Sequence, residues 1–392
     1  MPRRLLRRPT LRAFELRGAA QVAGGLAVAN LGDVFNILLL AYFTPFLTGH
    51  PEALALLPNL AAMRGAIITS MASRVSTSLH LGTVEPSTRR VLARELLGLV
   101  ALAMATSLYA AFLVALLSGY SFPLEETIAV ISGIIAILFL APFAAYIATM
   151  GYQRGLDPDR YMAPVLTVVG DISTAPTIVG VAVLIEHYSV PRIVFLSIVL
   201  AYTTVTITAA YLLRVRRARR ILLESLAALL VVGVFESYAG DFLVGYSHTL
   251  LALGVMHAVP SIMEDVGAAA SVAASKLSTL SHLYGFTSSA KYLPSVVAEV
   301  VLGSTTGFLI LSLIAFLTEG LAGSHAPFLT VLTVVFLGGL LGTLVFSLVG
   351  YLLVGGSIYL NADPDNVVIP LLTSIVDAST IPLLVLVAWT VA

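Results

Sequence analysis

The sequence predicts an all-α membrane protein made of two parallel five-helix repeats, joined by a linker transmembrane helix, with about 11 spans in all. Three observations predict it. Of 392 residues, 58% are hydrophobic and 11% charged, where a water-soluble domain carries about 25% charged residues. Mean hydropathy is +0.99. The apolar residues fall into stretches long enough to cross a bilayer, and long segments of the first half recur in the second.

A spanning helix needs about 20 apolar residues. Candidate spans run over 22–47, 54–80, 92–118, 125–150, 162–185, 193–214, 224–249, 252–283, 293–318, 327–354 and 366–390. The second and eighth are rich in Gly, Ser and Ala and are candidates for a bend or a break. The spans divide the chain into a short basic N-terminal segment (1–21), a first repeat (22–190), the linker helix with its basic loop (191–220) and a second repeat (221–392). The N-terminal run Arg3-Arg4-Leu5-Leu6-Arg7-Arg8 precedes no small-residue cleavage site, so it reads as a retained cytoplasmic segment rather than a signal peptide.

Basic residues in short loops mark the cytoplasmic side. Arg89, Arg90 and Arg94 follow span 2; Arg154 and Arg160 follow span 4; Arg214, Arg216, Arg217, Arg219 and Arg220 follow span 6; Lys291 follows span 8. The opposite loops hold Glu52, Glu125, Glu126, Glu186 and Glu319, with Arg192 the one basic residue among them. The reading is a multi-pass cell-membrane protein with its N-terminus cytoplasmic and its C-terminus external. Formal charge is balanced, with 21 basic and 21 acidic residues, and there is no cysteine. That excludes disulfides, thiolate metal sites and cysteine nucleophiles. Nothing points to a nucleic-acid partner; the lipid bilayer is one by construction.

The repeat is explicit. Residues 65–81 (GAIITSMASRVSTSLHL) and 267–283 (GAAASVAASKLSTLSHL) are identical at 8 of 17 positions. Residues 157–176 (DPDRYMAPVLTVVGDISTAP) and 363–382 (DPDNVVIPLLTSIVDASTIP) are identical at 10 of 20. Gly32-Asp33 and Gly240-Asp241 add a third pair. Five spans per copy would invert the second copy, but span 6 carries the chain back across, so both copies share one orientation. Their pseudo-twofold axis then lies along the membrane normal. Internal repeats of this kind are common in transporters, with the site at the repeat interface.

Ionisable residues near a bilayer centre cost roughly 2.5–3.5 kcal/mol on insertion scales and mark function. Asp171 lies about 14 Å into span 5 at 1.5 Å per residue, near the midplane, and Asp377 is its copy in span 11. Asp33 and Asp241 form a second such pair in spans 1 and 7. Four carboxylates at equivalent positions suggest a shared cation. The competing reading is structural, each Asp accepting hydrogen bonds from Ser or Thr; Thr167, Ser173 and Thr174, with Thr373, Ser379 and Thr380, are placed to donate them. Mg2+ keeps several waters and is held by one or two carboxylates, which fits facing Asp residues, so Mg2+ or another divalent cation is the expected bound and transported ion, with no prosthetic group. Small residues in spans 2 and 8 pack helices closely or line a pore. Gly65 and Gly267, Ser73 and Ser275, Ser76 and Ser278, and Thr77 and Thr279 recur in that way. Arg74 and Lys276 read as helix-end anchors. His80 and His282 read as caps or packing residues more readily than as ion contacts. Glu264 and Asp265 precede Gly267 without an acidic counterpart before Gly65; an ion pair with Arg64 is one option for them.

The segment 58–82 (PNLAAMRGAIITSMASRVSTSLHLG) and the run from Asp363 through Pro370 and Thr373 to Asp377 resemble the solute carrier family 41 magnesium transporters and the related MgtE-type channels. The resemblance implies an ion pathway between two five-helix units, which MgtE-type channels build as dimers. It implies an ion-binding Asp in the last helix about seven residues after a Pro, matched by Asp171 after Pro164 and Asp377 after Pro370. The sequence departs from the family where Ala66 and Ala268 stand in place of Asn. Only about 20 residues come before span 1, so gating by a cytoplasmic sensor is not expected. One chain holds both halves and hence a complete pathway; further oligomerisation is left open. Two alternatives compete with cation transport. A secondary transporter of a small organic solute would need aromatic or basic groups at the midplane, whereas Trp389 lies near a boundary. An intramembrane aspartyl protease would need Gly where Val168 and Val376 stand.

Overall fold

A computed structural model describes residues 11–80, 87–120, 122–154, 158–187, 200, 216–360 and 364–391. Every regular element among them is helical. Among the described residues, ten long helices stand out: α1 (Leu11–Gly49), α2 (Pro51–His80), α3 (Thr88–Ser118), α4 (Phe122–Gln153), α5 (Pro158–His187), α6 (Arg216–Gly245), α7 (Val259–Tyr284), α8 (Leu293–Thr318), α9 (Gly338–Tyr359) and α10 (Pro364–Val391). Apart from Leu200, the linker span 193–214 lies outside the described residues, as do residues 1–10 of the basic N-terminal segment.

Six stretches among the described residues are long and apolar enough to cross a membrane: Gly18–Gly49, Gly98–Ser118, Leu124–Gln153, Phe286–Thr318, Phe328–Tyr359 and Val368–Thr390. In α5 a shorter apolar stretch, Ser173–His187, stands out. The helices α2 and α7 are diluted by Ser, Thr and a buried or half-buried charge. Neither is broken: α2 runs unbroken past Pro58, and α7 runs unbroken from Val259. The break expected within span 8 comes before α7, where Gly254 adopts φ 70° and a short 3-10 turn, Met256–Ala258, follows. Before α9, the turn Thr333–Leu337 is π-helical.

The helices form two compact units. One is Tyr42–Ser247; the other joins Met1–Ala41 to His248–Ala392. The grouping cuts across the sequence repeats. In the first unit α6, the opening helix of the second copy, joins α2–α5; in the other, α1 through Ala41 joins α7–α10.

In each unit the small-residue helix is the hub. Within Tyr42–Ser247, α2 packs against α3, α4, α5 and α6. Asn59 of α2 donates to Gly233 O (3.0 Å) and to Ser237 Oγ (2.6 Å) on α6, and Tyr109 of α3 donates to Leu230 O (3.0 Å). In the other unit α7 packs against α8, α9 and α10. Val22 and Leu26 of α1 join Ala269, Ala273 and Leu277 of α7 and Val296 and Val300 of α8 in one apolar cluster. Between lipid-soluble helices, close van der Waals packing of small residues replaces the hydrophobic effect as the driving force. Hydroxyls inside these helices are satisfied by bonding back along the helix, as Ser312 does to Phe308 O (2.6 Å) and Ser304 to Val300 O (2.8 Å).

Candidate functional site

Of the midplane pair, Asp377 is half-buried on α10 in the second unit. Asp171 lies on α5 in the first unit, and its side chain is outside the described residues, as are those of Thr167, Ser73, Ser76, Thr77, Arg74 and His80. Around Asp171 the helix is built as expected of a polar turn in an apolar span: Ser173 and Thr174 both donate to Gly170 O at 2.8 Å, and Thr177 donates to Ser173 O at 2.9 Å. On α10, Thr373 donates back to Ile369 O (3.2 Å) and Pro370 O (3.1 Å), and Ser374 to Pro370 O (3.0 Å). These hydroxyls bond back to carbonyls three or four residues earlier on their own helix, which satisfies them inside an apolar span.

Gly267 of α7 sits against this turn. A Cβ there would lie 3.8 Å from Thr373 Cγ2 and 3.9 Å from Val376 Cγ1, so α7 and α10 meet one residue from Asp377. Gly65 is half-buried, and a Cβ on it would meet nothing within 4 Å. Ser278 is buried, while Ser275, Thr279 and His282 are exposed.

The second predicted pair, like the first, is divided between the two units. Asp241, on α6, accepts from Ser118 Oγ of α3 at 3.2 Å. Near it Tyr120 is surrounded by Glu52, Asp241 and Glu125; burial first, then these carboxylates, push its phenol above the ordinary value of 10.0. Glu125 is fully buried, with neither carboxylate oxygen hydrogen-bonded. Asp33, on α1, is 4% exposed and belongs to the other unit. There its neighbours are Ser261, whose hydroxyl hydrogen-bonds it, and the carboxylate of Asp265 on α7.

Several residues of weight were not singled out from the sequence, or were read differently. Asn30 and Asn36 flank Asp33 at a spacing of three residues, and both are buried; the period-three polar run in an apolar span is the signal that would have found them. Lys276 is not a helix-end anchor. It forms an ion pair with Glu299 of α8, whose side chain is fully buried. Arg64 is also buried; Nη1 donates to Thr177 of α5 (3.1 Å) and Nη2 to Ser132 of α4 (2.7 Å). Among the described residues no group of three or more His, Cys, Asp or Glu side chains is placed to hold a metal ion.

Long apolar helices, buried intramembrane carboxylates and hydroxyls turned back on their own helices define a multi-pass membrane protein. Its family follows from direct comparison. The family model for the MgtE divalent cation transporters matches residues 57–181 and 259–387, more than half of the chain. The chain belongs to the MgtE divalent cation transporter family, a family of transporters and not of enzymes; the aspartyl protease reading falls with that. No curated protein and no solved structure matches the chain. The matched stretches contain α7–α9 and most of α2–α5 and α10, and they exclude α1 and α6. Asp171, Asp265 and Asp377 therefore lie inside the family's region, and Asp33 and Asp241 outside it.

Proposed function

We propose that this protein carries Mg2+ across the cell membrane through a pathway between its two sequence repeats, with Asp171 and Asp377 as the ion-binding carboxylates. The observation that carries the reading is the double family match: each matched stretch holds one Asp, seven residues after a Pro, in the last helix of its repeat. An intramembrane carboxylate is costly to insert and is kept where it meets a cation. Two carboxylates that grip a hydrated ion through its water shell match magnesium's reluctance to shed water. The polar turns at Gly170–Thr174 and Pro370–Ser374 add hydroxyls near each of these positions in the chain.

The architecture that goes with this is two parallel repeats about an axis along the membrane normal, with residues 193–214 as the returning span, the N-terminus cytoplasmic and the C-terminus external. Asp33 and Asp241 rank below Asp171 and Asp377. They lie outside the family's region, and each has its own partners. The test is uptake into liposomes that hold the purified protein, with Mg2+, Mn2+, Ca2+ and Co2+ compared. Uptake led by Mg2+ supports the reading. Equal uptake of all four keeps divalent transport and removes the choice of Mg2+; uptake of none, by folded protein, overturns it.

A further inference from the structure

The unit formed by Met1–Ala41 and His248–Ala392 holds a group of buried oxygens that lacks donors. Asn30 and Asp265 are 0% exposed and Asp33 is 4% exposed. Asn30 donates Nδ2 to Gly307 O of α8 at 2.9 Å, and a Cβ on Gly307 would stand 3.5 Å from Asp265 Oδ2. So α1, α7 and α8 bring Asn30 and Asp265 to the same glycine. Asp33 lies close enough for its charge to act on Asp265. The Asn30 side chain lies close enough to Asp265 to act on it as a donor, though short of full hydrogen-bond geometry; Asn30 Oδ1, Asp33 Oδ2 and both oxygens of Asp265 otherwise have no hydrogen-bond partner.

With both carboxyls ionised, all four of these atoms are acceptors. A buried acceptor without a donor costs about 1–3 kcal/mol, and more when charged. Two carboxylates that share an apolar site cannot both stay ionised unless a cation stands between them; without one, a proton must take its place. Asp33's own hydrogen bond comes from the neutral Ser261 hydroxyl, which supplies no positive charge. The one buried ion pair described in this unit, Lys276 with Glu299, is tied up elsewhere on α7 and α8.

We propose that Asp33, Asp265 and Asn30, with Ser261, form a second cation site, held within one unit and occupied by one divalent cation. A single divalent ion balances both carboxylates and accepts all four free oxygens as ligands; an all-oxygen donor set of this kind suits a hard cation. The site is asymmetric. The position equivalent to Asp265 in the other repeat is Met63, so the duplication cannot produce a twin of it. It takes from the proposed function only the class of ion, and it does not depend on Asp171 or Asp377.

The experiment uses the full-length protein in detergent with Asp171→Asn and Asp377→Asn already in place, so that the transport pair is silent. Mg2+ and Mn2+ are titrated by calorimetry and by the shift in thermal unfolding after chelation. The proposal expects about one divalent ion per chain and an unfolding temperature that rises with the ion. Adding Asp265→Asn, or separately Asp33→Asn, should weaken binding at least tenfold and abolish the ion-dependent shift. Both changes remove a buried charge and keep the side-chain shape, so the ion-free protein should unfold no earlier. Absence of binding by the background variant, or binding that Asp265→Asn and Asp33→Asn leave unchanged, overturns the proposal. Either result stands apart from the flux test, which reads Asp171 and Asp377.

Discussion

Gly240 tests how tightly the repeated Gly-Asp pair is built into the packing. On Gly240→Ala the new Cβ would fall 2.0 Å from Ala55 O, 2.9 Å from Ala55 C and 3.3 Å from Ala55 Cα. All three obstacles are backbone atoms of α2, the hub of its unit, so no side chain can swing aside. To reach even 3.0 Å from the carbonyl oxygen, α2 and α6 must part by about 1 Å. Overpacking costs about 1–3 kcal/mol, and a backbone obstacle places this case at the upper end. Alanine recovers about 0.5–1 kcal/mol of helix propensity, which leaves a net loss of roughly 2 kcal/mol. At roughly 2–4 °C per kcal/mol for a unit of this size, the unfolding temperature should drop by roughly 4–8 °C. Gly267→Ala is the contrast. Its Cβ would meet Thr373 and Val376 at 3.8 and 3.9 Å, ordinary contact, so stability should hold or rise slightly. Thermal unfolding in detergent, followed by circular dichroism, reads both. Gly240→Ala as stable as the wild type, or Gly267→Ala the less stable of the two, would refute the packing derived for these helices.

Lys276→Met leaves the fully buried Glu299 without its cation; breaking a buried pair from one side costs about 3–5 kcal/mol, and with Lys276 itself 31% exposed the low end applies, so Lys276→Met/Glu299→Leu should be more stable than Lys276→Met alone in denaturant titration. A double variant no better than the single would contradict the pair. Arg64→Met should cost under about 1 kcal/mol, because Ser132 and Thr177 keep their own donations to Ala129 O (3.3 Å) and to Ser173 O and Thr174 O (both 2.9 Å) and are left with no orphaned proton; a loss above about 2 kcal/mol would show that the guanidinium holds more than these hydroxyls. The raised Tyr120 phenol is the neutral form favoured by folding. The stability it contributes is fully present below the ordinary tyrosine value and is lost as pH rises above it, where the unfolded chain ionises first. Tyr120→Phe should soften the alkaline fall in stability, and an unchanged alkaline limb would count against the cluster of Glu52, Asp241 and Glu125 around it.

Much of the fold was legible because membrane spans are written in the simplest code, length and apolarity. The predicted span 293–318 coincides with α8, and the repeat located α5 and α10 through their Asp-Pro-Asp starts. The π-helical turn at Thr333–Leu337 was not legible, since one extra residue in a uniformly apolar helix leaves no mark on its pattern. Nor was the grouping of α1 with α7–α10, because repeats are read along the chain and packing partners are not. For the site, repeat symmetry was both the guide and the blind spot. It singled out Asp171 and Asp377, which fall inside the family's region. It also paired Asp33 with Asp241 and left Asp265 without a copy, and so did not show that Asp33 lies near enough to Asp265 for its charge to act there. Asn30 went unnoticed because a lone amide in an apolar span looks like a packing group until its unpartnered oxygen is seen.

The most direct test of the central claim is Mg2+ flux into liposomes, wild type against Asp171→Asn/Asp377→Asn, at matched protein incorporation and with both proteins shown to be folded. Loss of flux in the double variant is the predicted result. Flux at the wild-type rate would contradict it and remove the aspartate pair from the pathway.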